Sequence, residues 1–142
     1  MIRRLPFSLL WAGLALGLSG CSMLGAPTAE VGECVQMSDL EAAQIDSIPT
    51  VDCSEEHDGE VVATFEGPDG EYPSAEEWQT IIRDGCTQGF EDYVGITYED
   101  STLTLRDLSP TQEGWDADDR SVLCLAYLDE GTTTESFEGA EI

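Results

Sequence analysis

Five cysteines, at positions 21, 34, 53, 86 and 124, constrain this 142-residue chain more than any other feature. No two of them are spaced as CxxC, which disfavours zinc ribbons and thioredoxin-like redox sites. Scattered cysteines in a short secreted chain read as a disulfide framework. An odd count leaves one cysteine over, so the question is which of the five stands apart.

The N-terminus answers it. Met1-Ile2-Arg3-Arg4 is a short basic segment, and Leu5 to Leu18 is an apolar run of 14 residues interrupted by Pro6. A membrane span needs about 20 residues; this run has the length of a signal-peptide core. Leu18-Ser19-Gly20-Cys21 follows. It resembles the bacterial lipobox, in which small residues fit a peptidase cleft and the cysteine thiol accepts lipid. The resemblance implies a lipoprotein signal peptide over residues 1–20 and a fatty-acylated (palmitate-type) Cys21 that opens a linker over residues 21–30. More than one acyl chain gives stable anchoring. The chain is therefore expected at the cell membrane, lipid-anchored, on the extracytoplasmic face.

Cys34, Cys53, Cys86 and Cys124 remain, and four cysteines allow three pairings. Residues 31–37 and 48–53 read as short strands, and Val61 to Phe65 as a better one. The spacing predicts one long helix over 74–93. Ser74 with Glu77 makes a capping box, and Trp78, Ile81, Ile82, Cys86, Phe90 and Tyr93 form an apolar face. Gly85 and Gly89 lie beside that face and lower helix propensity, which points to close packing against a sheet. Thr102 to Arg106 alternates as a strand. Ser121 to Leu128 is the most apolar segment after the signal, as expected of a central strand buried on both faces. Residues 129–142 are acidic and Thr/Ser-rich with a lone Phe137, and read as an acidic disordered tail.

These elements give an α+β fold over residues 31–128: a small, mainly antiparallel sheet with one long helix packed on a face and two disulfides. Cys86 on the inward helix face and Cys124 on a strand face shared with Val122 and Ala126 favour Cys86–Cys124. Cys34–Cys53 would then clip the N-terminal strand to its neighbour. The other two pairings stay open at this level.

Charge narrows the function. The chain has 5 Lys+Arg, all arginine, against 30 Asp+Glu, a formal net charge of −25. Arg3 and Arg4 leave with the signal peptide while every acid stays, so the remainder carries −27. Such a chain is a poor binder of nucleic acid, whose phosphates need clustered cations. It favours a basic envelope protein or divalent cations as partners.

Few residues suggest chemistry. His57 is the only histidine, in Cys53-Ser54-Glu55-Glu56-His57-Asp58-Gly59-Glu60. One histidine among scattered carboxylates is a weak metal signal, and Ser54, His57 and Asp58 are too close in sequence for a catalytic triad. His57 is expected to order the turn before the 61–65 strand. Trp115-Asp116-Ala117-Asp118-Asp119-Arg120 lacks EF-hand spacing and reads as a solvated loop, with Arg120 neutralising Glu60 or Asp119. No catalytic residue, resident metal or cofactor is expected, and the chain is not read as an enzyme.

Taken in order, Gly32-x-Cys34, Val51-x-Cys53-x-x-x-His57-x-x-Glu60-Val61, Cys86 on a helix, Trp115 and Arg120-x-x-x-Cys124 resemble the septum-formation domain of actinobacterial envelope proteins. His57, Glu60, Trp115 and Arg120 are thus candidate structural or binding positions. The resemblance implies a link to septum formation or envelope biogenesis and supplies no catalytic residue or ligand. The expected function is a membrane-anchored, non-enzymatic interaction domain. The alternative is an extracytoplasmic lipoprotein that captures a ligand or metal.

Overall fold

Ser74 starts the long helix as the capping box requires. Its hydroxyl accepts from the Glu77 amide, and its own amide donates to Glu77 Oε2 at 2.9 Å. These hydrogen bonds to Ser74 hold the Glu77 carboxyl below its ordinary range. The helix, α1, spans Ala75–Val94 and stops at Gly95, whose φ of 88° gives the left-handed C-terminal cap. The computed structural model describes residues 28–41 and 47–142. The expected signal peptide, Cys21 and residues 22–27 of the expected linker lie outside the described residues.

Among the described residues five strands make one sheet: β1 (Cys34–Val35), β2 (Thr50–Val51), β3 (Gly59–Glu66), β4 (Thr104–Leu108) and β5 (Ser121–Tyr127). A short helix, α2 (Gln112–Asp116), lies between β4 and β5. The strand order is β2-β1-β3-β5-β4, and every pairing is antiparallel. The architecture is the α+β fold expected, with α1 across one face. β5 is paired on both sides, yet β3 and not β5 is the middle strand, because two short N-terminal strands extend the sheet beyond β3. Those two strands are shorter than the sequence suggests.

The continuous apolar run of β5 follows from burial on both faces. Cys124 and Ala126 pack with Val62, Cys86, Phe90, Val94 and Leu103 on the helix side. Leu123 and Leu125 pack with Val35, Leu40, Ile48 and Val61 on the other. The register of β3 against β5 slips between Val61 and Ala63. This bulge breaks the simple alternation of β3, so that Val62, Ala63 and Phe65 all meet the helix-side core. The two disulfides are Cys34–Cys53 and Cys86–Cys124. The first ties β1 to the segment just after β2, and the second ties α1 to β5.

Residues 129–142 are the main correction to the sequence reading, which expects them to be disordered. They fold back over the domain. The main chains of His57 and Thr133 exchange two hydrogen bonds, of 2.9 and 2.8 Å. Phe137 enters the helix-side core at 1% exposure. The Gly139 amide donates to the Tyr93 carbonyl and the Glu141 amide to that of Val94. A polar, acidic composition disfavours order only where nothing apolar is buried; one buried phenyl ring and a run of paired amides supply what composition lacks.

Gly85 and Gly89 are where the helix approaches the sheet. A Cβ at Gly89 would stand 2.2 Å from Ala63 Cβ, and one at Gly85 would stand 2.6 Å from the Phe65 ring. Ala63 Cβ is fixed to the backbone and cannot swing away. Gly89→Ala should therefore destabilise the domain by about 1–3 kcal/mol, despite gaining about 1 kcal/mol of helix propensity. Chemical denaturation checks this, and a stabilised variant would contradict the close approach.

Candidate functional site

The site forms where β3 begins. Glu60 faces Cys34 across the β1–β3 pairing and Ala126 across the β3–β5 pairing. Its side chain is fully buried, at 0% exposure. Such a carboxylate needs hydrogen-bond partners, and three donors among the described residues reach it. Tyr93 OH near the end of α1 donates to Oε1 at 2.5 Å, Ser136 Oγ donates to Oε1 at 2.7 Å, and the Phe137 amide donates to Oε2 at 2.6 Å. Glu60 thus joins the sheet, the helix and the C-terminal segment. Burial pushes the Tyr93 hydroxyl up to about 12, and its bond to Glu60 adds to the rise.

His57 sits in the turn before β3, also at 0% exposure. Its Nδ1 lies 2.9 Å from the Glu55 carbonyl. Only an N–H can bond a carbonyl oxygen, so Nδ1 carries the proton. Nε2 is buried without a hydrogen-bond partner among the described residues. The ring leans towards Phe137, with centroids 6.1 Å apart. Donor atoms of Cys34, His57 and Glu60 all lie within 4.8 Å of one another. This is the group of described residues best placed to hold a metal. The Cys34 sulfur is committed to its disulfide, and in that state it is not a thiolate ligand.

Trp115 and Arg120 form a second, separate cluster. Trp115, Trp78 and Tyr72 meet edge to face with centroids 5.6–5.8 Å apart. The Arg120 guanidinium lies 3.9 Å over the Trp115 ring, a cation–π contact. Its Nη1 donates to the Trp115 carbonyl at 2.7 Å and to that of Asp119 at 3.2 Å, and Asp118 Oδ1 lies 3.6 Å from Nη2. The expected Arg120–Glu60 pair is overturned. Glu60 is tied to Tyr93 while Arg120 sits with the aromatics around Trp78, and those two helix positions are separated by about 22 Å of rise. Glu60 takes neutral donors instead of a cation.

The structure thus brings Cys34, His57 and Glu60 together, with Cys53 attached through its disulfide to Cys34, and keeps Trp115 and Arg120 apart from them. Cys86 and Cys124 are core. Tyr93, Ser136 and Phe137, which complete the Glu60 site, are missed by sequence reasoning as site residues. The one available signal is Phe137 itself, a lone aromatic in an otherwise polar segment.

The septum-formation family matches residues 22–124, well over half of the chain. The chain belongs to the septum-formation family. The match holds the four disulfide cysteines, His57, Glu60, Trp115 and Arg120 in one septum-formation domain, and Ser136 and Phe137 lie beyond it. No curated protein and no solved structure matches the chain at a significant level. No helix among the described residues is long and apolar enough to cross a membrane.

The raised Tyr93 value gives a pH dependence. The folded state holds the phenol proton up to about 12, against about 10 in an unfolded chain. Its contribution to stability is complete below about pH 10 and is lost as the pH rises through 12. Denaturation midpoints should fall across that window, and Tyr93→Phe should flatten the fall. An equal slope in both proteins would contradict the placement of Tyr93 against Glu60.

Proposed function

We propose that this septum-formation domain is a lipid-anchored interaction module on the extracytoplasmic face of the cell envelope, acting in septum formation without catalysing a reaction. The observation that carries the link to the septum is the family match over residues 22–124. Anchoring rests on the Leu18-Ser19-Gly20-Cys21 motif, with Cys21 as the acylated residue.

The site geometry favours binding over catalysis. His57 and Glu60, the ionisable residues nearest to a chemical constellation, are both at 0% exposure beneath residues 133–137. A general acid or base must reach its substrate within hydrogen-bond distance, and these side chains face protein on all sides. The surface is more accessible to a partner. An open groove at the start of α1 is lined by Asp69, Glu71, Tyr72, Glu76, Glu77 and Ile81. The arginines downstream of the signal are engaged locally: Arg83 with Asp84, Arg106 with the Leu40 carbonyl and Arg120 on Trp115. The surplus carboxylates are left to face a basic envelope protein or divalent cations, and contacts of that kind weaken with salt.

A fluorescent fusion to the C-terminus, expressed from the native locus, tests the reading. Enrichment at the division site, abolished by Cys21→Ser, is expected, with a septation defect on deletion. Uniform distribution around the cell together with normal division would contradict it.

A further inference from the structure

Every buried polar atom without a partner calls for an explanation, and His57 Nε2 has none among the described residues. Its surroundings suggest one. Nδ1–H is fixed on the Glu55 carbonyl, so Nε2 is the ring nitrogen whose lone pair an ion can take. A metal-ligating histidine has this arrangement, one nitrogen on a backbone carbonyl and the other free for the ion. Glu60 is similarly provided. A carboxylate offers about four lone-pair positions; Oε1 accepts from Tyr93 and Ser136, whereas among the described residues Oε2 accepts only from Phe137. One position on Oε2 remains. Cys34 Sγ completes the group within 4.8 Å.

We propose that this cluster is a latent zinc site, closed while Cys34 and Cys53 are joined and opened by their reduction. Tetrahedral zinc needs N and S donors about 3.5 Å apart, closer than the present spread, so a sulfur must be free to move in. A dithiol reductant supplies the step. Its thiolate attacks the sulfur of Cys53, a half-buried residue, where Cys34 is fully buried. The S–S bond breaks and Cys34 leaves as a thiolate. The reductant's second thiolate then displaces Cys53 and the reductant closes to its own disulfide. Two electrons pass from dithiol to cystine. One Zn²⁺ takes up both thiolates, and two protons go to solvent. Cys34, Cys53, His57 and Glu60 then present an S₂NO set, which suits zinc over calcium or magnesium. Cys86 and Cys124 have no such neighbours; they lie in the helix-side core among apolar residues. The inference stands apart from the interaction reading, since a domain can bind a partner with or without the metal.

The test uses the untagged full chain carrying Cys21→Ser, reduced with a dithiol, desalted without oxygen and titrated with Co²⁺ and then Zn²⁺. One equivalent of Co²⁺ should bind with a tetrahedral spectrum and sulfur-to-metal charge transfer, and Zn²⁺ should displace it. The oxidised chain should bind at least 100-fold more weakly. X-ray absorption of the zinc-loaded reduced chain reads the ligands with no further substitution: two sulfurs at about 2.3 Å and one imidazole. His57 is the only histidine, so an imidazole identifies it. Lack of a stoichiometric tetrahedral spectrum, equal binding by the oxidised chain, or absorption data without imidazole would overturn the proposal. A charge-transfer band retained by Cys34→Ser/Cys53→Ser would place the metal on Cys86 and Cys124 and overturn it equally.

Discussion

Glu60 puts a carboxylate in the interior of a small domain, and the rest of the structure is arranged to keep it there. A buried carboxylate costs several kcal/mol unless its oxygens are satisfied. Tyr93, Ser136 and Phe137 satisfy them from the helix and from the C-terminal segment. The same contacts set where α1 ends against β3 and where residues 133–137 cross the sheet. Oε1 keeps one donor if Tyr93 or Ser136 is lost, whereas among the described residues Oε2 depends on the Phe137 amide. Phe137 then contributes its ring to the helix-side core, and the hydrogen-bonded turn and the hydrophobic contact reinforce each other.

The chain needs that cooperation because its charge works against compactness. Residues 21–142 carry 27 more carboxylates than arginines, which raises self-repulsion. Two disulfides oppose it, each worth about 2–4 kcal/mol through restriction of the unfolded chain. Cys34–Cys53 holds the short N-terminal strands, whose few residues could not keep their places by pairing alone. Cys86–Cys124 locks the helix to the sheet close to Gly85 and Gly89, where the two layers come nearest.

Much of this was legible in the sequence. The capping box marked the start of α1 because capping is local chemistry. Its apolar face and the two glycines marked the side that meets the sheet. The apolar run at 121–127 marked a strand covered on both faces. The faces that must meet favoured Cys86–Cys124 and Cys34–Cys53 over the two other pairings, which the sequence left open and the structure decides. What was not legible depends on long-range partners. Residues 129–142 are polar by composition, and only Phe137 hints that they are anchored. The bulge after Val61 leaves no mark in a run of β-branched residues. Glu60 reads as a partner for a scarce arginine, since nothing local says that a tyrosine, a serine and an amide will reach it from positions 93, 136 and 137. Arg120 likewise finds carbonyls and an indole that sequence spacing does not disclose.

Membership of the septum-formation family places the cysteines, His57 and Glu60 in one domain, and the geometry makes that domain a closed one with an acidic exterior. Glu60 holds the C-terminal segment in the fold. Hydrogen exchange at the Phe137 amide, bonded to Glu60 Oε2, measures this directly. The account predicts protection close to that of the global unfolding reaction, as for core strands. Exchange at the rate of an unstructured segment, while β3 and β5 stay protected, would contradict it.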